Sequence, residues 1–385
     1  MTTFNELGLA LKVHDPLVSG GAWLYNLAPE VEAYTHTLSA YGGFDAASFN
    51  LSGPAGDIEE WLERGLGRHV EVWDNDLSRV WEGFVDQVSI TQGQLTYTVG
   101  PLTDLANRVS CVYNGVDPQY NPPTQLGRLV TAVINATDSQ ARYGIWEKSV
   151  SAGGKTTAAM AALAAGSYLA RRQTPARSQA VGGGGGASQA TVQLKGYQAW
   201  LSAYTYAQTA SSGTVAANAL IRAILAADPN GIFSTDYSQI DANALVVVPA
   251  HENDATFAES LIKSTVALGD SSYNLWTFGI YEQRRAIYAQ APEVLAYRQS
   301  TQASDQDVYT LAGTRVRPWQ VRPAQWILMD DFLVGKPLGA ALATDLRCAF
   351  IEQVTFTAPY SVSWTGGPLG TLDQLLAQLT MRGMR

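Results

Sequence analysis

The chain has 385 residues, of which 46% are apolar, enough to fill packed cores. Only 15% are charged, and 25 Lys+Arg against 34 Asp+Glu leave a net charge of −9, which disfavours a general affinity for nucleic acid because phosphate neutralisation needs positive charge. Cys111 and Cys348 stand alone, with no Cys-x-x-Cys pair or Cys/His cluster, so neither a disulfide framework nor a structural zinc site is expected.

At ~100–200 residues per domain the length allows two to four domains. The opening run MTTFNELGLALKVHDP has no basic region and no long apolar core, so no secretory signal is expected. No stretch reaches the ~18–20 apolar residues of a membrane span. Gly 35, Trp 10 and Tyr 18 are generous counts and favour β-structure with many turns.

The first ~115 residues read mostly as strands. Pro54 to Gly65 is the exception: Ile58, Trp61 and Leu62 are spaced i, i+3, i+4, with Asp57 and Glu59 near the start. That pattern predicts an amphipathic helix with acids at its positive end. His69-Val-Glu-Val-Trp-Asp, Val80-Trp-Glu-Gly-Phe-Val, Val88-Ser-Ile-Thr and Leu95-Thr-Tyr-Thr-Val alternate apolar and polar side chains, split by Asp74-Asn-Asp and Gln92-Gly-Gln turns.

The middle differs. From Lys148 to Ala227 there is no Asp or Glu, while Lys148, Lys155, Arg171, Arg172, Arg177, Lys195 and Arg222 make the window +7. Against the chain's −9 this leaves −16 for the rest. Thr157–Arg172, Val215–Ala227 and about Asp254–Ala267 read as helices. Ser178–Ala190, with the run Gly182–Gly186, reads as a mobile loop, since consecutive glycines carry a large ordering entropy. Beyond residue 272, β-like patterns return at 273–281, at Arg315-Val-Arg-Pro-Trp and over Arg347–Thr357. Leu372, Leu375, Leu376 and Leu379 predict a short C-terminal amphipathic helix.

One repeat stands out. Phe84-Val-Asp-Gln-Val-Ser-Ile-Thr and Phe350-Ile-Glu-Gln-Val-Thr-Phe-Thr share Phe, Gln, Val and Thr, and differ conservatively elsewhere. At the same offset Gly100 matches Gly366. The expectation is one β-module used twice, around Gln87 and Gln353, with an insertion between.

Several motifs invite chemistry. Gly153-Gly-Lys-Thr-Thr lacks the first glycine of a phosphate loop, because position 149 is Ser; it reads as a loop and helix start with Thr156 or Thr157 as N-cap. His251-Glu-Asn-Asp has Ala255 where a metal-binding HExxH needs His. His14, His36 and His69 are the other histidines. The adjacent carboxylates Glu59/Glu60 and Asp330/Asp331 point to different faces and do not converge on one bond. No Gly-x-Ser-x-Gly is present. The +7 window, with Tyr197, Trp200, Tyr204 and Tyr206, is read as a contact surface for an acidic neighbour, with a membrane or DNA contact and a solvated helical domain as the alternatives.

The runs Gly65-Leu-Gly-Arg-His-Val-Glu-Val-Trp-Asp, Val80-Trp-Glu-Gly-Phe-Val-Asp and Val99-Gly-Pro-Leu-Thr-Asp-Leu-Ala-Asn-Arg-Val resemble the hub proteins of long-tailed bacteriophages. The likeness covers about residues 40–115 well, the C-terminal part weakly and the middle hardly at all, through turn and strand patterns. It implies a homotrimer in which each chain carries two similar β-barrel domains, so that three chains present six like faces to a sixfold tail tube.

The expected fold is therefore α+β, mainly β. A first β-barrel hub domain spans 1–115. A partly helical insertion spans 116–271 with the mobile loop 178–190. A strand-rich region at 272–385 includes the second barrel and the C-terminal helix. Val70, Val72, Trp81, Phe84, Val88, Phe350, Val354 and Phe356 are the expected cores. The expected function is that of a structural virion protein, not an enzyme, at the distal end of the tail, with no catalytic, cofactor-binding or metal residues and no cofactor. Its expected partners are a distal-tail or tail-tube ring above, a spike, fibre or tail-tip protein below, and a tape measure protein, with DNA passing through the lumen without specific binding. A tail-associated cell-wall hydrolase and a carbohydrate-binding adhesin are the alternatives.

Overall fold

Strict alternation of β-branched and aromatic residues makes strands that bury one face, and the structure is built mostly of them. A computed structural model describes residues 9–27, 31–119, 124–182, 189–206, 214–247, 256–272, 274–301, 307–311, 314–330, 338, 342, 345, 347–358 and 361–367. The predicted helix at Leu372–Leu379, the His251–Asp254 motif, Asp331 and Gly183–Gly186 lie outside the described residues.

The elements run β1 (Leu9–Pro16), β2 (Trp23–Asn26), β3 (Val31–Ser39), β4 (Gly43–Ser52), α1 (Ala55–Arg64), β5 (Arg68–Asp74), β6 (Arg79–Gln92), β7 (Leu95–Val99) and β8 (Arg108–Asp117). Then come β9 (Thr124–Val130), β10 (Ile134–Asn135), α2 (Thr137–Tyr143), β11 (Glu147–Thr156), α3 (Ala158–Arg172), β12 (Arg177–Val181), β13 (Gln189–Lys195), β14 (Val215–Ala216), α4 (Ala217–Ala226), β15 (Val246–Val247) and α5 (Ala258–Ala267). The last part holds β16 (Trp276–Tyr281), β17 (Arg285–Gln290), β18 (Leu295–Thr301), β19 (Asp307–Leu311), β20 (Thr314–Val316), β21 (Trp326–Met329), β22 (Cys348–Thr357) and β23 (Ser361–Gly367).

Among the described residues 49% are in strands and 23% in helices, so the mainly-β expectation holds. The spine is an antiparallel series of neighbours, β12–β7–β6–β13–β4–β3–β22–β23. Strand β5 adds to the first half of β6 and carries β1 and β2. Strand β21 adds to the first half of β22 and carries β18, β19 and β20. No closed barrel is found among these strands. The three expected segments share one sheet: β13, from 116–271, lies between β4 and β6, and β22, from 272–385, pairs with β3.

The repeat takes matching places in this sheet. Phe84–Thr91 lies in β6 and Phe350–Thr357 in β22, each with its hairpin mate, β7 or β23, on the outer edge. Phe84, Val85, Val88 and Ile90 are buried, as are Phe350, Ile351, Val354 and Phe356. The copies differ at the third position, where Asp86 is buried and Glu352 exposed. They also differ in connection: β5 shares an edge of β6 with β7, whereas β21 shares an edge of β22 with β3. The matched glycines have a common physical cause. A Cβ on Gly100 would collide with the backbone of Asp86 and Gln87, and one on Gly366 with that of Phe350 and Ile351.

All eight expected core residues are buried, at 0–1% exposure. They divide among three clusters. Val70, Val72, Trp81, Val88, Val354 and Phe356 line the main core. Phe84 joins Trp146, Tyr197, Trp200 and Tyr204 beneath α4 and α5. Phe350 packs with Trp326 and Leu328 in a smaller cluster. A separate small sheet has β8 at its centre, with β9 and β10 antiparallel and β11 parallel to it.

The predicted helices form at Ala55–Arg64, Ala158–Arg172, Ala217–Ala226 and Ala258–Ala267, and the Thr157 hydroxyl accepts the Met160 amide as an N-cap. The 178–190 loop is corrected at its two ends, residues 183–188 lying outside the described residues. Arg177–Val181 is a strand on β7, and Gln189–Ala190 begins β13. Backbone pairing there outweighs the entropy that the composition suggested. Arg315–Trp319 is likewise only partly strand: β20 ends at Val316 and Pro318–Gln320 is a 3₁₀ turn that buries Trp319.

His36 sits at the β3–β22 junction, opposite Phe356, with both ring nitrogens unpartnered. Burial, aided by the Arg322 charge, pushes its pKa down to about 3. The unfolded chain takes up this proton near pH ~6.5 and the folded chain does not. Stability is therefore full above pH 6.5 and falls by up to ~1.4 kcal/mol per pH unit as the pH drops toward 3. Urea denaturation of His36→Phe should show a flatter profile, with a gain of about 2 kcal/mol over the parent at pH 5.

Candidate interaction surface and buried polar network

Helix α3 is almost free of charge until its last turn, because the sequence from Ala158 to Ala170 is Ala, Gly, Ser, Met, Leu and Tyr alone. Its inner face sets Ala161, Ala165 and Leu169 against Val109, Cys111 and Tyr113 of β8. Its outer face leaves Met160 at 59% and Leu163 at 63% exposure, among exposed alanines. A helix apolar on both faces is normally covered on both.

Two further features adjoin this region in the chain. At the C-terminal end of α3 an open cleft is lined by Arg64, Arg142, Arg171 and Arg177, with Glu63 and Asp138 as its acidic side chains. Beyond it, β12 pairs with β7 alone among the described strands, and Val181, 77% exposed, lies directly across from the exposed Leu95. An open strand edge with exposed apolar side chains is a pairing surface unless something covers it. Sequence reading identified Arg171 and Arg177 but missed Arg64 and Arg142, which lie outside the acid-free window.

The window's aromatics are elsewhere. Tyr197, Trp200 and Tyr204 are 1–3% exposed and form the second core, with Trp146 and Trp200 ring centroids 4.5 Å apart; Tyr206 is half-buried and packs against that core. The expectation that these side chains face a neighbour is thus corrected for the first three. Aromatic spacing in a basic segment reads the same for a core as for a surface.

The other candidates disperse. Glu60 is paired with Arg68, Glu59 accepts from Gln92, and Asp330 is paired with Arg298 at 2.9 Å. Gly153 and Gly154 lie within β11, at a bulge in its pairing with β8, and not in a phosphate-wrapping loop. Cys111 and Cys348 are free and buried.

A polar cluster that sequence reading did not assemble lies on β1, β5 and β6. His14 and His69 are cross-strand partners, and Glu71 follows two residues on, on the same face of β5. His69 Nε2 is 3.3 Å from Glu71 Oε1, and His14 Nε2 is 3.8 Å from Glu71 Oε2. Arg79 donates to Glu71 at 2.8 Å and also pairs with Glu82. Trp73 Nε1 donates to Glu71 Oε2 at 2.9 Å. Burial alone would raise the Glu71 pKa, but the contacts of His14 and His69 and the Arg79 charge hold it well below the usual carboxylate range. The only trace of this cluster in the sequence is His69-Val-Glu71; its partner His14 is brought in by strand pairing.

Among the described residues this is a mainly-β protein that leaves Met160 and Leu163 of α3 and Val181 of β12 exposed, with an arginine-lined cleft at the C-terminal end of α3. No family model matches the chain, and no curated protein matches it. Among solved structures, the chain is similar to the crystal structure of the prophage MuSo2 43 kDa tail protein from Shewanella oneidensis, with a TM-score of 0.39 and 10% identity over 91% of this chain and 92% of that one. At that score the likeness by itself assigns neither fold nor function.

Tyr197 ties the network to the second core. Its hydroxyl lies 2.7 Å from His69 Nδ1 and donates to the Gly83 carbonyl. Removing it in Tyr197→Phe leaves buried polar atoms short of a partner. Chemical denaturation should show a loss of about 1–3 kcal/mol with no change in the far-UV spectrum.

Proposed function

We propose that the chain is a structural subunit of a phage tail, a homotrimeric hub at the distal end that matches a sixfold tube to a threefold tip and lines part of the DNA exit path. The observation that carries this reading is the repeat. Phe84–Thr91 and Phe350–Thr357 are both sheet strands with the same buried apolar positions and a hairpin mate on the corresponding edge. A threefold assembly needs such doubling to offer six similar faces. The phage-hub-like runs fall on β5, β6 and the segment from Val99 into β8, so two of the three lie on or beside the first copy of the repeat.

The exposed α3 face supports assembly over catalysis. Its acid-free, arginine-flanked surface complements the −16 of the rest of the chain, so the occupant proposed for it is a neighbouring copy. A tail-tube or distal-tail ring above, a spike, fibre or tail-tip protein below and a tape measure protein are the proposed further partners. DNA passes without specific contacts.

Native mass spectrometry of the purified chain tests the reading: roughly 124 kDa, three times 41.3, supports the hub, and a stable monomer at all concentrations refutes it. Leu163→Glu should leave the unfolding free energy of the monomer within about 0.5 kcal/mol of the parent, as exposed substitutions do, and should abolish the larger species. On a peptidoglycan zymogram no clearing is expected; a cleared band would move the chain to the hydrolase class.

A further inference from the structure

The cluster on β1 and β5 has the donor set and the supporting contacts of a coordination site. We propose that His14, His69 and Glu71 bind one divalent first-row transition ion, with zinc as the reference occupant.

The argument starts from which atoms must carry hydrogen. His14 Nδ1 lies 3.3 Å from the Gly21 carbonyl oxygen, which only accepts. Nδ1 therefore donates to that carbonyl, which leaves Nε2 to face the cluster. That Nε2 is buried and has no hydrogen-bond partner. His69 Nδ1 faces the Gly83 carbonyl at 3.2 Å and the Tyr197 hydroxyl at 2.7 Å. Its Nε2 lies 3.3 Å from Glu71 Oε1, a hydrogen bond in the metal-free chain that a bound ion would replace. The donor atoms of the three residues lie within 4.8 Å of one another.

Distance separates an ion from a hydrogen bond. The 3.8 Å between His14 Nε2 and Glu71 Oε2 is too long for a direct hydrogen bond. Two ligands held at ~2.0–2.1 Å on one zinc ion stand about 3.3–3.8 Å apart for angles from tetrahedral to moderately open. The two observed separations, 3.3 and 3.8 Å, fall in that interval.

Each donor is also oriented from behind, as metal ligands are. Gly21 holds His14, Gly83 and Tyr197 hold His69, Arg79 holds Glu71 Oε1 and Trp73 holds Oε2. Arg79 is shared with Glu82, so the two carboxylates divide one guanidinium. The pairing of β1 with β5 shifts register between His14 and Pro16, and its pairing with β2 shifts between Val13 and His14. Irregularities of this kind re-aim a side chain. His14 is the most exposed of the three and offers the ion a path from solvent. Bound there, the ion would staple β1 to β5 where their ladder becomes irregular.

The test uses the full chain without a histidine tag, stripped with chelator. Zinc titration by calorimetry should give one site per chain, cobalt should give visible d–d bands of nitrogen–oxygen coordination, and either ion should raise the thermal midpoint. His14→Ala, at the rim, should keep the metal-free circular dichroism spectrum and lose roughly tenfold or more in zinc affinity together with the thermal shift. The proposal is overturned if roughly ten equivalents of zinc produce no saturable binding, or if His14→Ala binds as tightly as the parent. Neither result bears on the native mass, so this site and the hub reading stand or fall separately.

Discussion

Strand β6 must satisfy two edges and two cores at once, and the arrangement of the chain follows from how it does so. Its fourteen residues pair with β5 over the first half, with β7 over the second and with β13 along the opposite edge. Val85 and Val88 enter the main core, while Phe84 enters the aromatic core under α4 and α5. Burial on both faces removes the freedom to slip, because a shift of one residue would exchange the contents of the two cores. The edge partner is distant in sequence: Thr91 pairs with Gln189. Everything between, including the small sheet and α3, must be placed so that β13 can reach its slot. Closing such non-local pairs costs chain entropy before any contact repays it.

What was legible in the sequence follows the range of the interactions involved. Helix α3 is readable almost to the residue, because its start depends on one local hydroxyl, Thr157, and its span on a run rich in Ala and Leu that tolerates Gly166. The buried positions of β6 and β22 were readable because a half-buried strand writes its orientation as a period of two. The place of β13 was not. Ala190, Val192 and Leu194 alternate as buried residues, but nothing local distinguishes the slot between β4 and β6 from any other edge. The loop expected over 178–190 failed for the same reason. Arg177–Val181 has little intrinsic β-signal and becomes a strand because β7 offers it a free edge. The His14–His69–Glu71 cluster was invisible except for its two residues on one strand, since the third ligand arrives by a register that sequence does not state.

The polar groups buried along β5 and β6 set a different requirement. Glu71, Glu82, Arg79 and His69 occupy a region where Phe84 and Tyr197 already exclude water. Charges there are held at a desolvation cost that pairing only partly offsets. Replacing them with apolar residues would simplify the packing, yet the network links three strands and the 3₁₀ turn of Tyr197 through directional contacts. Such contacts fix orientation in a way that alternating valines do not. The main core has this device at Trp319, whose indole donates to the buried Asp74 at 3.1 Å, but not around His36. Its buried polar ring, His36, has no hydrogen-bond partner and stacks only on Tyr34 and Phe356. The β3–β22 seam is held by backbone pairing, apolar contact and the Thr35 and Thr37 hydroxyls, and His36 makes it lose stability from about pH 6.5 downward, whereas the Glu71 network yields only as the pH falls through the carboxylate range.

The distribution of charge constrains how copies of this chain could meet. The outer face of α3 and the β12 edge lie in the acid-free window, and the cleft arginines Arg64 and Arg142 join them from outside it. A twofold contact would place this basic, apolar surface against itself, and like charge would oppose the association. A head-to-tail contact instead sets it against the acidic remainder of the next copy, where burying Met160 and Leu163 and pairing the arginines act in the same direction. Head-to-tail contacts close into rings when the rotation between copies divides the circle. On the proposed reading, the charge asymmetry and the strand repeat then have separate tasks. The first drives three copies into a ring, and the second lets each copy present two similar strands around its axis.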